Sequence, residues 1–169
     1  LRLYSAAAAE QAHAFDHSTQ LECGKSDSKY IIEAVVSPKS IKENGEFFIT
    51  LSRHDAGTNK NADAFRIANF KANGNILELL GGVKTEFLND EMYSFRWELD
   101  LTDINNKTIT TTVIATKGNQ KGEIFKSAAK FPDAYQGNVD NVGHILLQAS
   151  KVSGESSGES EVYVHGASV

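Results

Sequence analysis

Met92-Tyr93-Ser94-Phe95-Arg96-Trp97-Glu98-Leu99-Asp100-Leu101 alternates without a slip. Tyr93, Phe95, Trp97, Leu99 and Leu101 fall on one side, and Ser94, Arg96, Glu98 and Asp100 on the other. Successive side chains of a strand point to opposite faces, so the stretch predicts a half-buried strand. Trp97 keeps company with Phe95 and Leu99. It is therefore expected in the core rather than as a flat platform for a sugar.

The period of two recurs on both sides of this stretch. Tyr30, Ile32, Ala34 and Val36 alternate before Pro38, which is expected to end that run. Asn44-Gly45 turns into residues 46–52, Asn73-Gly74 into 76–80, and Gly81-Gly82 into 83–88. Residues 63–71, 107–116 and 143–150 read as further strands. The stretch 119–142 is irregular, with a short strand near Ile124-Phe125. Frequent turn signals without a long amphipathic helix predict an antiparallel β-sandwich, with a small barrel as the second choice.

The two ends read differently. Residues 1–22 hold Ala6-Ala7-Ala8-Ala9-Glu10-Gln11-Ala12 and no Gly or Pro, so they predict a short N-terminal helical arm. Residues 153–160 contain only Ser, Gly and Glu, the composition of a flexible linker. Glu161-Val162-Tyr163-Val164-His165 then regains strand character. The expected organisation is a partly helical arm over 1–28, a sandwich over 29–150, and a linker with a terminal strand over 151–169.

Composition narrows the function classes. The 169 residues carry a net charge of -5, which argues against a nucleic-acid binder, since that role needs a basic face. No apolar run approaches the roughly 20 residues that span a bilayer, so membrane insertion is not expected. Cys23 is the sole cysteine and cannot form an internal disulfide. A chain that opens on Leu1 and holds only Met92 is expected to be a processed protein or a fragment, located outside the cell or on its surface.

Few motifs carry chemistry. His13 and His17 would share one face of a helix and could hold a metal with Asp16 or Cys23, but the glutamate of a metalloprotease helix is missing. Gly154-Glu155-Ser156-Ser157-Gly158 imitates a nucleophile elbow inside a tract with no rigid oxyanion hole. Glu86, Asp90, Glu91, Glu98, Asp100 and Asp103 are acidic enough for calcium, yet lack the EF-hand glycine, and a solvated face is the expectation. No cofactor, catalytic residue or metal ligand is assigned on these grounds. Asn106-Lys107-Thr108 is the only glycosylation sequon and lies in an expected turn, with Asn106 the acceptor.

Val36-Ser37-Pro38 through Gly45-Glu46-Phe47-Phe48-Ile49-Thr50-Leu51 resembles the first two strands of extracellular Ig-like domains. Ala64-Phe65-Arg66-Ile67-Ala68-Asn69-Phe70 and Phe95-Arg96-Trp97 are similar to the Reeler domain, over about residues 30–116. The cysteines of that family and its Gly-Phe before the third strand are absent, and no binding residue transfers. The resemblance implies an all-β, Ig-like sandwich outside the cell. The function expected is a non-enzymatic structural or adhesive subunit. Its partners would be other copies of itself, joined in a filament by strand exchange through Val162, Tyr163 and Val164. The alternative is a secreted Reeler-like recognition module that binds glycan or lipid.

Overall fold

The computed structural model describes the chain apart from residues 6–10, 56–59, 117–120, 138, 140 and 156, and apart from the side chains of 11–20, 53–55, 60–63 and 144. Two six-stranded antiparallel sheets stack face to face. Sheet A runs in the order β1 (Arg2–Ser5), β12 (Glu159–Ser168), β3 (Lys29–Lys42), β8 (Tyr93–Asp100), β9 (Thr108–Ala115) and β10 (Gly122–Lys130). Sheet B runs β2 (Gln11–Glu22), β11 (Asn141–Lys151), β4 (Gly45–Asp55), β5 (Lys60–Lys71), β6 (Ile76–Leu79) and β7 (Val83–Glu86). The only helix among the described residues is one 3-10 turn, Asp133–Tyr135.

The alternating strand behaves as its sequence requires. In β8, Tyr93, Phe95, Trp97 and Leu99 are buried while their polar neighbours face outward. Phe95 and Trp97 stack with ring centroids 5.0 Å apart. From sheet B, Phe70 meets Phe95 and Tyr93 edge-on at 5.8 Å and 5.6 Å, which ties the two inner faces together.

Among the described residues the expected helical arm is not present. Arg2–Ser5 is a strand on β12, with Leu3 opposite Val162, and Gln11–Glu22 is a strand on β11. Helix propensity is a weak local preference, whereas a ladder to a strand more than a hundred residues away pairs the backbone groups along one whole side of each segment. Pro38 does not end β3 either. Its carbonyl accepts from Asp90 N at 2.7 Å, beyond the last β3–β8 pair at Val36, so no ladder partner there needs the N–H that proline lacks.

The tract before the terminal strand is held on its first side. Val152 N donates to Asn44 O at 2.8 Å, and Glu155 N closes a turn on Val152 O at 3.2 Å. Val162 and Val164 are buried in the chain's own core between β1 and β3, while Tyr163 is exposed. The start of β12 crosses the start of β4 so closely that a Cβ on Gly45 would lie 1.9 Å from Glu159 O. There the buried Ser160 Oγ lies 3.0 Å from both Glu46 O and Ser150 O, fixing the end of β4 against β11 and β12.

Candidate functional site

Strand β4 is buried on both faces. Phe47, Ile49 and Leu51 enter the core, as their spacing requires. Glu46, Phe48, Thr50 and Ser52 alternate with them on the outer face of sheet B, yet all four are buried too. An antiparallel sheet normally gives that second face to water. Register extends the pattern sideways. Gln148, Phe48 and Asn69 form one cross-strand row; Ser150, Glu46 and Lys71 form the next; Leu146, Thr50 and Arg66 form a third. Gln148, Ser150 and Asn69 are buried as well.

Arg66 starts on the Thr50 row and reaches along the strand to the Glu46 row. Its guanidinium crosses Phe48 at 4.2 Å from the ring centroid, a cation–π contact. Beyond the ring, Nη1 and Nη2 donate to Glu46 Oε2 and Oε1, both at 2.8 Å. Asn69 Nδ2 adds a third donor to Glu46 Oε2 at 3.3 Å. The Glu46 side chain is only 3% exposed, whereas Arg66 is 43% exposed and presents its free side to solvent. A buried carboxylate is tolerated when it is paired in this way. Among the described residues of this face, Thr50 Oγ1 and Asn69 Oδ1 are buried polar atoms with no partner, on residues 4% and 3% exposed.

The Arg66 side chain lies between two hollows. A cavity of about 530 Å³ is lined by Glu46, Phe48, Arg66, Gln148 and Ser150 and rimmed by residues 151–155. Lys151 Nζ on Glu155 O at 2.5 Å and Asn44 Nδ2 on Glu155 Oε2 at 3.1 Å brace that rim. A smaller hollow of about 240 Å³ is lined by Arg66, Asn69, Lys71, Glu78 and the 79–82 turn. Lys71 Nζ lies 2.5 Å from Glu78 Oε2, and Lys84 Nζ 3.5 Å from Glu78 Oε1. The Lys71 hydrogen bond holds the Glu78 carboxyl below its ordinary range. The described residues thus offer a planar cation on an aromatic ring, amide and hydroxyl groups, and carboxylates already engaged by cations.

Of the residues singled out from sequence, the backbone register sets Asp16 opposite Leu146, at the end of the Thr50–Arg66 row, with His13 opposite Ala149 and His17 opposite Ile145. The side chains of His13, Asp16 and His17 and the placement of Ser156 lie outside the described residues. The acidic stretch is dispersed: Asp90 pairs with Lys39, Asp100 with Lys29 at 3.2 Å, and Glu98 with Arg96 at 3.1 Å. Among the described residues no three His, Cys, Asp or Glu side chains converge on one point. Asn106 is exposed in the turn before β9. The outer face of sheet B was missed because Glu46 and Arg66, read by alternation, look like solvated charges. A signal was present in Gly45-Glu46-Phe47-Phe48, where an apolar Phe48 occupies the polar phase.

No protein-family model matches the sequence, and no curated protein matches it. Solved structures do match in shape. The marine PL-14 alginate lyase from Aplysia kurodai shares 10% identity at a TM-score of 0.64, over 96% of this chain and 80% of that one. A family 7 alginate lyase shares 8% at 0.56, over 99% and 75%. The endo-beta-1,4-glucuronan lyase from the fungus Trichoderma reesei shares 6% at 0.52, over 98% and 78%. At such identities the likeness is one of fold. It corrects the Ig-like and Reeler resemblance and, with it, the expectation of a non-enzymatic, self-associating adhesion or filament subunit. Local features such as a Gly-Glu turn into an alternating strand are common to many antiparallel sandwiches and do not distinguish one topology from another. The fold is the jelly roll, two six-stranded sheets between which the chain passes repeatedly.

Proposed function

We propose that this chain is a carbohydrate-active jelly roll that holds a polysaccharide across the outer face of sheet B, over β11, β4 and β5. One observation carries the reading. This face buries polar groups beneath a solvent-facing Arg66 stacked on Phe48, and it leaves Asn69 Oδ1 and Thr50 Oγ1 unpartnered. Buried polar atoms without partners cost stability, so such a cluster on a face that could have stayed wet marks a surface shaped for a ligand. Stacked flat groups beside amides and hydroxyls suit a sugar, whose C–H face packs on the plane while its hydroxyls exchange hydrogen bonds. The alginate and glucuronan lyases that share the fold support the same class of ligand. An extracellular location, with glycan attachment at the exposed Asn106, belongs to this proposal.

The test is a panel of neutral and uronic polysaccharides, read by affinity electrophoresis for binding and by new reducing ends or unsaturated uronate absorbance for cleavage. Arg66→Ala is expected to weaken retention about tenfold or more. Arg96→Ala, on the opposite outer face, should leave it unchanged. Retention by no glycan, or equal loss in both variants, overturns the reading.

A further inference from the structure

We propose that the subsite at Arg66 and Asn69 reads its sugar through hydroxyl groups and takes an uncharged unit, not a uronate. This rests on the reading of that face as a glycan surface. The argument begins with the arginine. A guanidinium that clamps a ligand carboxylate tightly brings an uncompensated charge to it. Here one N–H of each Nη of Arg66 donates to Glu46 at 2.8 Å, so the charge is balanced, and the three N–H groups that remain can donate to sugar hydroxyls. A second carboxylate brought to the same guanidinium would stand close to the first. Glu46 is 3% exposed, so water screens that repulsion poorly.

The amide of Asn69 points the same way. A carboxylate accepts and never donates, so the contact with Glu46 Oε2 fixes the NH₂ end of Asn69 on Glu46. The other end, Oδ1, is then a buried acceptor with no partner, in a residue that lines the hollow of about 240 Å³, and a sugar reaches it when the amide turns toward that hollow. What an orphaned acceptor requires is a donor. A sugar hydroxyl supplies one; a ligand carboxylate has none to give. Beside the smaller hollow the Lys71 ammonium is balanced by Glu78, whereas Lys151, on the rim of the larger one, donates to the uncharged carbonyl of Glu155. Arg66 therefore serves as a flat, charge-balanced plate on Phe48, and Asn69 as the acceptor beside it.

The experiment uses matched probes of equal length: cello-oligosaccharides against glucuronan oligosaccharides, and β-1,4-manno-oligosaccharides against oligomannuronate. Each pair opposes a neutral and an acidic sugar. Calorimetric titration should show at least one neutral member binding tighter than its acidic counterpart, with affinity nearly constant between low and physiological salt. Arg66→Lys keeps the charge but loses the plate, and should weaken neutral binding about tenfold. Asn69→Ala should weaken it several-fold, with the melting curve of each variant reporting that it folds. Equal or tighter binding of the uronates, with a steep salt dependence and retention in Arg66→Lys, overturns the inference and leaves the glycan surface standing. Binding of neither class overturns both.

Discussion

The two outer faces of the sandwich are built from the same kinds of residue and treat them in opposite ways. On sheet A, Arg96 bridges Glu33 at 2.7 Å and Glu98 at 3.1 Å, and all three side chains are 42–55% exposed. On sheet B, Arg66 bridges Glu46 with the same chemistry, but the carboxylate is almost wholly buried. Exposed pairs contribute little, because both partners are well solvated when apart. A buried carboxylate has lost its water and depends on its partners. The difference teaches that an arginine–glutamate pair on a strand surface carries no fixed energetic meaning. What covers it decides whether it is surface decoration or part of a constructed site.

The contrast can be broken most directly at the two glutamates. Glu46→Ala removes the acceptor of three donors and strands the buried Asn69 amide, so it is expected to cost about 2–3 kcal/mol, the half-exposed Arg66 recovering part of its hydration. Glu33→Ala should cost under about 0.5 kcal/mol. Denaturant midpoints measure both, and equal midpoints would abolish the distinction between the faces. A smaller effect sharpens it. Thr50→Val replaces a buried hydroxyl that has no partner by a methyl group and keeps the β-branched shape that suits a strand. Stability should hold or rise by up to about 1 kcal/mol. Thr110→Val, on the outer face of sheet A, should change it by less than about 0.5 kcal/mol. A loss at Thr50 beyond about 1 kcal/mol would show that its hydroxyl is already satisfied.

The smallest effect concerns pH. Glu78 titrates below its ordinary value because Lys71 hydrogen-bonds the charged form. A depressed carboxyl contributes stability that is complete above the unfolded pKa and is lost as pH falls through the folded one. Lys71→Met should therefore flatten the acid limb of the stability curve, by well under 1 kcal/mol for a partly solvated pair. An unchanged acid limb would mean that the pair adds nothing to the edge of the site.

Alternation and turn signals made much of the sandwich legible: β8 and β9 almost to the residue, the first part of β4, and the turns at Asn44-Gly45 and Asn73-Gly74. These are local properties, because the period of a strand and the steric needs of a turn are set by neighbours in the chain. The first two strands were hidden for the complementary reason. Residues 1–22 favour a helix when judged alone, and only the ladders to β12 and β11 make strands of Arg2–Ser5 and Gln11–Glu22. The candidate site was hidden further still. Sequence marked residues 46–52 as a strand without assigning its faces, and the structure sets Glu46 opposite Phe47, Ile49 and Leu51, on the outer side. That this outer face is buried depends on the register of β4 with β5, on the reach of Arg66 across Phe48, and on the braced turn at 151–155. The amino-acid order thus determined which side chains share a face. The tertiary structure alone decided which face loses its water, because burial is set by whatever lies over a surface, and those groups come from distant parts of the chain.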